Sequence, residues 1–100
     1  MVSATRKVIW SNECRQQRLE IYKYWNGRNK STRYSCKLRD LFNEKMQQVA
    51  ERPLIGRITN MEHVRTVVVR DCLLVYKILE DTILVLSVWE GHQNPENFKF

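Results

Sequence analysis

The chain has 100 residues, a formal net charge of +6, 43% hydrophobic residues, three Gly and two Pro. That size suits a single domain over residues 1–100 with one modest core, and the composition argues against an unfolded chain. No apolar run approaches the roughly 18 to 20 residues that span a bilayer, and Met1 to Lys7 holds no apolar signal segment, so a cytoplasmic location is expected.

Lys7-Val8-Ile9-Trp10 is β-branched and aromatic, which predicts a first strand. Ser11 or Asn12 supplies a helix N-cap, and Cys14, Arg18, Ile21, Tyr22 and Trp25 follow at helical spacing up to a stop at Asn26-Gly27. Ser31 caps a second helix with the stripe Tyr34, Leu38, Leu41, Phe42, Lys45, Met46 and Val49, and Arg52-Pro53 ends it. A link of about four residues between the two implies an antiparallel helical hairpin. Its aromatics read as core and seam rather than a base-stacking platform.

From His63 the period changes. Val64 to Val69, Cys72 to Leu79 and Thr82 to Trp89 are runs separated by Arg70-Asp71 and Glu80-Asp81, which predicts an antiparallel meander. The expected fold is α+β in the order β-α-α-β-β-β, the hairpin packed on one face of a mainly antiparallel sheet. Neither of the last two runs alternates, so both strand faces expect cover. Two helices cover one face. The other must curl on itself, dimerise or be covered by a partner chain, and a partner over Leu73, Val75, Leu84, Leu86 and Trp89 is favoured, since a bare apolar face invites aggregation.

Charge divides the chain. Residues 1–57 hold 13 Lys/Arg against 5 Asp/Glu, whereas residues 58–100 hold 4 against 6. Between Arg15 and Arg39 lie Arg15, Arg18, Lys23, Arg28, Lys30, Arg33, Lys37 and Arg39, with Glu20 as the sole acid. A solvated helix face or a polyanionic partner both satisfy this pattern. Cys14, Cys36 and Cys72 lack metal-ligand spacing and read as buried thiols in a reducing compartment. No metal site and no cofactor are expected.

No common catalytic motif is present. The residue types available suit metal-independent RNA cleavage by the 2′-hydroxyl, with Arg57, Arg65 and Arg70 as cations, His92 as proton donor and Tyr76 as a second polar group. Each arginine has a plainer reading as a surface residue or an ion-pair partner of Asp71 or Glu62. His63, the other histidine, fits a structural or exposed role.

The order of these elements and the residues that punctuate them resemble the RelE/ParE superfamily, the toxins of type II toxin–antitoxin modules. The resemblance runs through Ile9-Trp10-Ser11, Leu19 to Trp25, Pro53-Leu54-Ile55-Gly56-Arg57, Val64-Arg65, Val75-Tyr76 and Val88 to Pro95. It implies a growth inhibitor held inactive by a cognate antitoxin wrapped over the toxin, which would cover the second sheet face. A homodimer or a higher toxin–antitoxin assembly is compatible with it.

The target splits this superfamily. RelE-like members cut mRNA on the ribosome, and ParE-like members inhibit DNA gyrase. RelE-like ribonucleases commonly carry an arginine where this chain has Leu73, and an arginine after the last strand where it offers His92. Arg57, Arg65 and His92 are the positions carried over as target-facing candidates, Arg70 joining them on charge. The Tyr-Trp helix, the Ile-Gly-Arg turn and the Gln-Asn-Pro ending favour the ParE side. A third reading, outside the superfamily, is a basic adaptor that binds RNA or an acidic protein through the Arg15 to Arg39 surface.

Overall fold

The computed structural model describes residues 5–91. The chain runs through β1 (Lys7–Trp10), α1 (Asn12–Asn29), α2 (Arg33–Glu51), a single 3₁₀ turn (Pro53–Ile55), β2 (Arg57–Ile58), β3 (Val64–Val69), β4 (Cys72–Ile78) and β5 (Thr82–Glu90). The sheet order is β1-β5-β4-β3-β2. All neighbours are antiparallel except β1, which lies parallel to β5 with Ile9 opposite Leu84. The parallel pair follows from connectivity: the two helices carry the chain away from β1, and the meander returns it to that edge.

The expected order of elements is met, with two changes. The Ile-Gly-Arg turn leads into a very short strand, β2, which pairs Arg57 with Thr66 and Ile58 with Arg65. The first helix does not stop at Asn26-Gly27. It continues to Asn29, and Lys30 takes the left-handed conformation (φ 53°) that closes it. Gly27 has open space where a side chain would stand, so nothing there ends the helix.

Ser31 is likewise not the cap of α2. Thr32 holds that position without a side-chain bond, while Ser31 Oγ accepts the Arg33 N–H at 3.1 Å. The hairpin is tied across this link by the Asn26 amide, 2.6 Å from Ser35 Oγ.

The two helices are held differently. The α2 stripe buries Leu38, Phe42, Met46 and Val49 against the sheet, an ordinary amphipathic docking. By contrast, α1 buries only Cys14 and Ile21 and is stitched on by polar bonds. β1 stops at Trp10, so among the described residues the β5 edge beyond Val85 has no strand beside it. The Ser11 hydroxyl donates to the Leu86 carbonyl at 2.9 Å, and Gln17 Oε1 accepts the Val88 N–H at 2.9 Å. These bonds satisfy backbone groups that would otherwise be orphaned. Further along, the Trp25 indole N–H donates to the buried Glu90 carboxylate. Arg18 lies 4.0 Å over the Trp10 ring and donates to the Tyr22 hydroxyl at 2.9 Å, so a residue of the predicted apolar stripe packs through its guanidinium plane.

The core between helices and sheet is built from Val67 and Val69, Cys72, Leu74 and Tyr76, and Ile83, Val85 and Val88. Cys14 and Cys72 are buried, and burial pushes both thiols up to about 12. Cys36 departs from expectation: it is exposed on the outer side of α2, where the stripe does not reach. Tyr24, grouped with the core aromatics on sequence, is also exposed.

Candidate functional site

The segment after α2 is where sequence and geometry converge. Arg52-Pro53 breaks the helix, and the 3₁₀ turn then folds down onto the start of β3. Tyr76, opposite Arg65 in the ladder, stands beneath this turn. Its hydroxyl donates to the Pro53 carbonyl at 2.7 Å and accepts the Gly56 N–H at 3.0 Å. Arg65 closes the same turn from the side, its guanidinium donating to the carbonyls of Gly56 at 2.8 Å and Leu54 at 3.3 Å.

Gly56 is required here for approach rather than for backbone angle, since its φ is −75°. A Cβ would run into the Tyr76 hydroxyl and stand 2.8 Å from the Thr66 carbonyl oxygen. The Ile-Gly-Arg signature thus has a steric cause.

The consequence for chemistry is direct. Tyr76 is fully buried, with both roles of its hydroxyl in use. Burial raises its pKa above the ordinary phenol value, against the opposing pull of the Gly56 N–H and the Arg65 charge. Tyr76, expected as a second polar group for catalysis, is therefore a buried side chain whose hydroxyl is engaged by the turn. Arg65 is half-buried and engaged with backbone carbonyls rather than with Glu62. Glu62 instead faces the His63 ring at 3.6 Å, and both side chains are exposed.

The candidate cations are not one cluster. Arg57 and Arg65 belong to the end of the sheet where β2 pairs with β3. Arg70 occupies the β3–β4 turn at the other end, in the left-handed conformation (φ 57°). The five residue-to-residue steps from Arg65 to Arg70 span about 16 Å of strand. Gly91 lies at the Arg70 end, its N–H donating to the Asp71 carbonyl at 2.7 Å. His92 lies outside the described residues.

What the locked turn displays is apolar, and sequence reasoning missed it. Leu54 and Ile58 are 70% and 69% exposed, with Ile55 and Met61 beside them at 45% and 50%. Leu54, Ile58, Met61, His63, Arg65 and Ile78 line a shallow depression on this edge. The missed signal was available: Leu54, Ile55 and Ile58 sit on a turn, where large apolar residues have no core to fill.

The proposed partner face proves less open. By ladder register Leu73, Val75, Leu84 and Trp89 share the face turned from the helices, while Leu86 sits at a register shift. Val75 is buried, and Leu73, Leu84, Leu86 and Trp89 are half-buried. Among the described residues no His/Cys/Asp/Glu group could hold a metal ion, and no helix is long and apolar enough to cross a membrane.

Comparison with known proteins bears on this arrangement. Residues 8–95 match the family described as "ParE toxin of type II toxin-antitoxin system, parDE". The chain belongs to the ParE toxin family. Within the family's fold, it is similar to a solved chain titled "Chromosomal ParDE TA system from P. aeruginosa", at 14% identity and a TM-score of 0.74. That likeness covers 88% of this chain and 98% of the other. Among curated proteins nothing matches. The ParE assignment places the locked turn and the helical hairpin in a type II toxin.

Proposed function

We propose that this ParE-family toxin arrests growth by binding DNA gyrase rather than by cutting RNA, and that a cognate antitoxin neutralises it. The observation that carries the reading is the use of Arg65 and Tyr76 inside the molecule. Two of the five candidates for cleavage chemistry hold a turn in place. The position where RelE-like ribonucleases commonly have arginine is Leu73. The product of that locking is a rigid apolar edge, Leu54, Ile55, Ile58 and Met61, with Arg57 beside it. Such an edge suits shape-dependent docking on a large target, where exposed anchors supply affinity. The antitoxin is assigned to the sheet face carrying Leu73, Val75, Leu84 and Trp89, with Leu86 at its register shift, where a wrapping segment would seal the half-buried Leu73, Leu84, Leu86 and Trp89.

The decisive experiment uses Leu54→Asp/Ile58→Asp, a change at exposed positions expected to leave stability within about 0.5 kcal/mol. It should abolish growth arrest and gyrase supercoiling inhibition while antitoxin binding persists. Site-specific mRNA cleavage by the wild-type chain in a translating extract, lost in His92→Ala, would replace this reading with the ribonuclease one.

A further inference from the structure

The geometry points to a second interaction surface: the tip of the α1–α2 hairpin is a nucleic-acid phosphate-backbone binding surface, separate from the target-facing edge. Residues 21–39 contain no acid and six cations, Lys23, Arg28, Lys30, Arg33, Lys37 and Arg39. All six are exposed. Only Arg39 meets a carboxylate, Asp40 at 3.3 Å; among the described residues the other five have no ion-pair partner. The β3–β4 turn comes to the same end of the molecule, where Tyr34 is within reach of the charges of Arg70 and Asp71 alike, so it adds an exposed arginine and an exposed acid together and leaves the cations of the hairpin itself to carry the surface. This end is remote from the locked turn: α2, 19 residues long, separates the two by about 28 Å.

The chemistry of the tip selects the kind of partner. Protein interfaces are anchored by a buried apolar centre. No exposed large hydrophobic residue lies between Tyr24 and Leu54, so the tip offers charge without such an anchor. Phosphodiester backbones need none, because affinity comes from releasing condensed counterions. Arg33 and Lys37, one helical turn apart on α2, present two cations about 6 Å apart along the axis. Arg28 lies 5.9 Å from the Trp25 ring centroid, and Tyr24 is 41% exposed, so planar groups border the cations.

The test is binding of the full chain to short duplex DNA, an RNA hairpin and polyglutamate over a salt series. A surface engaging roughly three phosphates should lose about 40-fold in affinity for nucleic acid between 50 and 200 mM salt. Arg33→Glu/Lys37→Glu should weaken nucleic-acid binding by about 10-fold or more and flatten the salt slope by about two phosphates' worth. It should leave supercoiling inhibition and antitoxin binding intact, so this surface and the gyrase reading fail or stand separately. Lys7→Glu/Arg52→Glu, the same change in net charge at exposed positions away from the tip, should have a several-fold smaller effect. Equal losses in the two variants would reduce the effect to net charge and overturn the proposal. So would a preference for polyglutamate, or no nucleic-acid binding at low salt. Whichever of DNA and RNA binds more tightly identifies the source of the phosphates.

Discussion

Tyr76→Phe removes one oxygen atom and tests the locked turn. The ring keeps its place in the core beside Leu74 and Val85, so no cavity beyond a hydroxyl forms. What disappears is a bond to the Pro53 carbonyl at 2.7 Å and one from the Gly56 N–H at 3.0 Å. Each bond is worth about 1 kcal/mol net, and the amide loses its partner at a buried position, so the expected loss is about 2 to 3 kcal/mol. For a domain of this size that lowers Tm by on the order of 10 to 20 °C, and it moves the urea midpoint by about 1 to 2 M at unchanged m. Arg65→Met acts on the same turn, so the double variant should lose less than the sum of the singles. Growth arrest at a temperature where the variant is folded should persist. A Tyr76→Phe protein within about 0.5 kcal/mol of the parent would refute the locking argument.

Other outcomes follow from the same geometry. Ser11→Ala deletes the N-cap bond to the Cys14 N–H (3.0 Å) and the bond to the Leu86 carbonyl (2.9 Å); chemical denaturation should show a loss of about 2 kcal/mol, toward the upper end for a cap. Trp25→Phe keeps the ring's packing on Tyr34 (4.9 Å) and removes a bond to a carboxylate, for a loss of about 1.5 to 3 kcal/mol. Cys14 and Cys72 are raised from 9.0 to about 12, so between those pH values the unfolded chain releases thiol protons that the native chain keeps. Their contribution to stability is therefore complete below pH 9 and is lost as pH rises toward 12. Denaturation midpoints should fall across that window, and Cys14→Ser/Cys72→Ser should flatten the fall. At pH 8 one thiol per chain, exposed Cys36, should react promptly with a disulfide reagent, the other two only on unfolding.

Much of the molecule follows from local pattern. The strand runs punctuated by Arg70-Asp71 and Glu80-Asp81, the α2 stripe and the Arg52-Pro53 stop each depend on neighbours within a few residues, and each forms as that pattern requires. The helical hairpin on one sheet face is therefore legible in the chain itself. The end of α1 is not, because Lys30 closes it through a backbone conformation that Gly27 signalled three residues too early. The parallel seat of β1 on β5 escapes local pattern as well, since it joins Trp10 to Val85 across the whole fold.

The candidate site divides the same way. Sequence determined which residues are present: the Ile-Gly-Arg turn, Arg65, Tyr76 and the acid-free stretch before Asp40. Tertiary structure decided what they do. Only contacts between residues 20 or more apart reveal that Tyr76 is spent on Pro53 and Gly56, and only the fold joins Arg70 to the hairpin tip while parting it from Arg57 and Arg65. The physical reason is that side-chain identity and local propensity are properties of the chain, whereas burial, hydrogen-bond partners and shared surface arise from packing distant segments together.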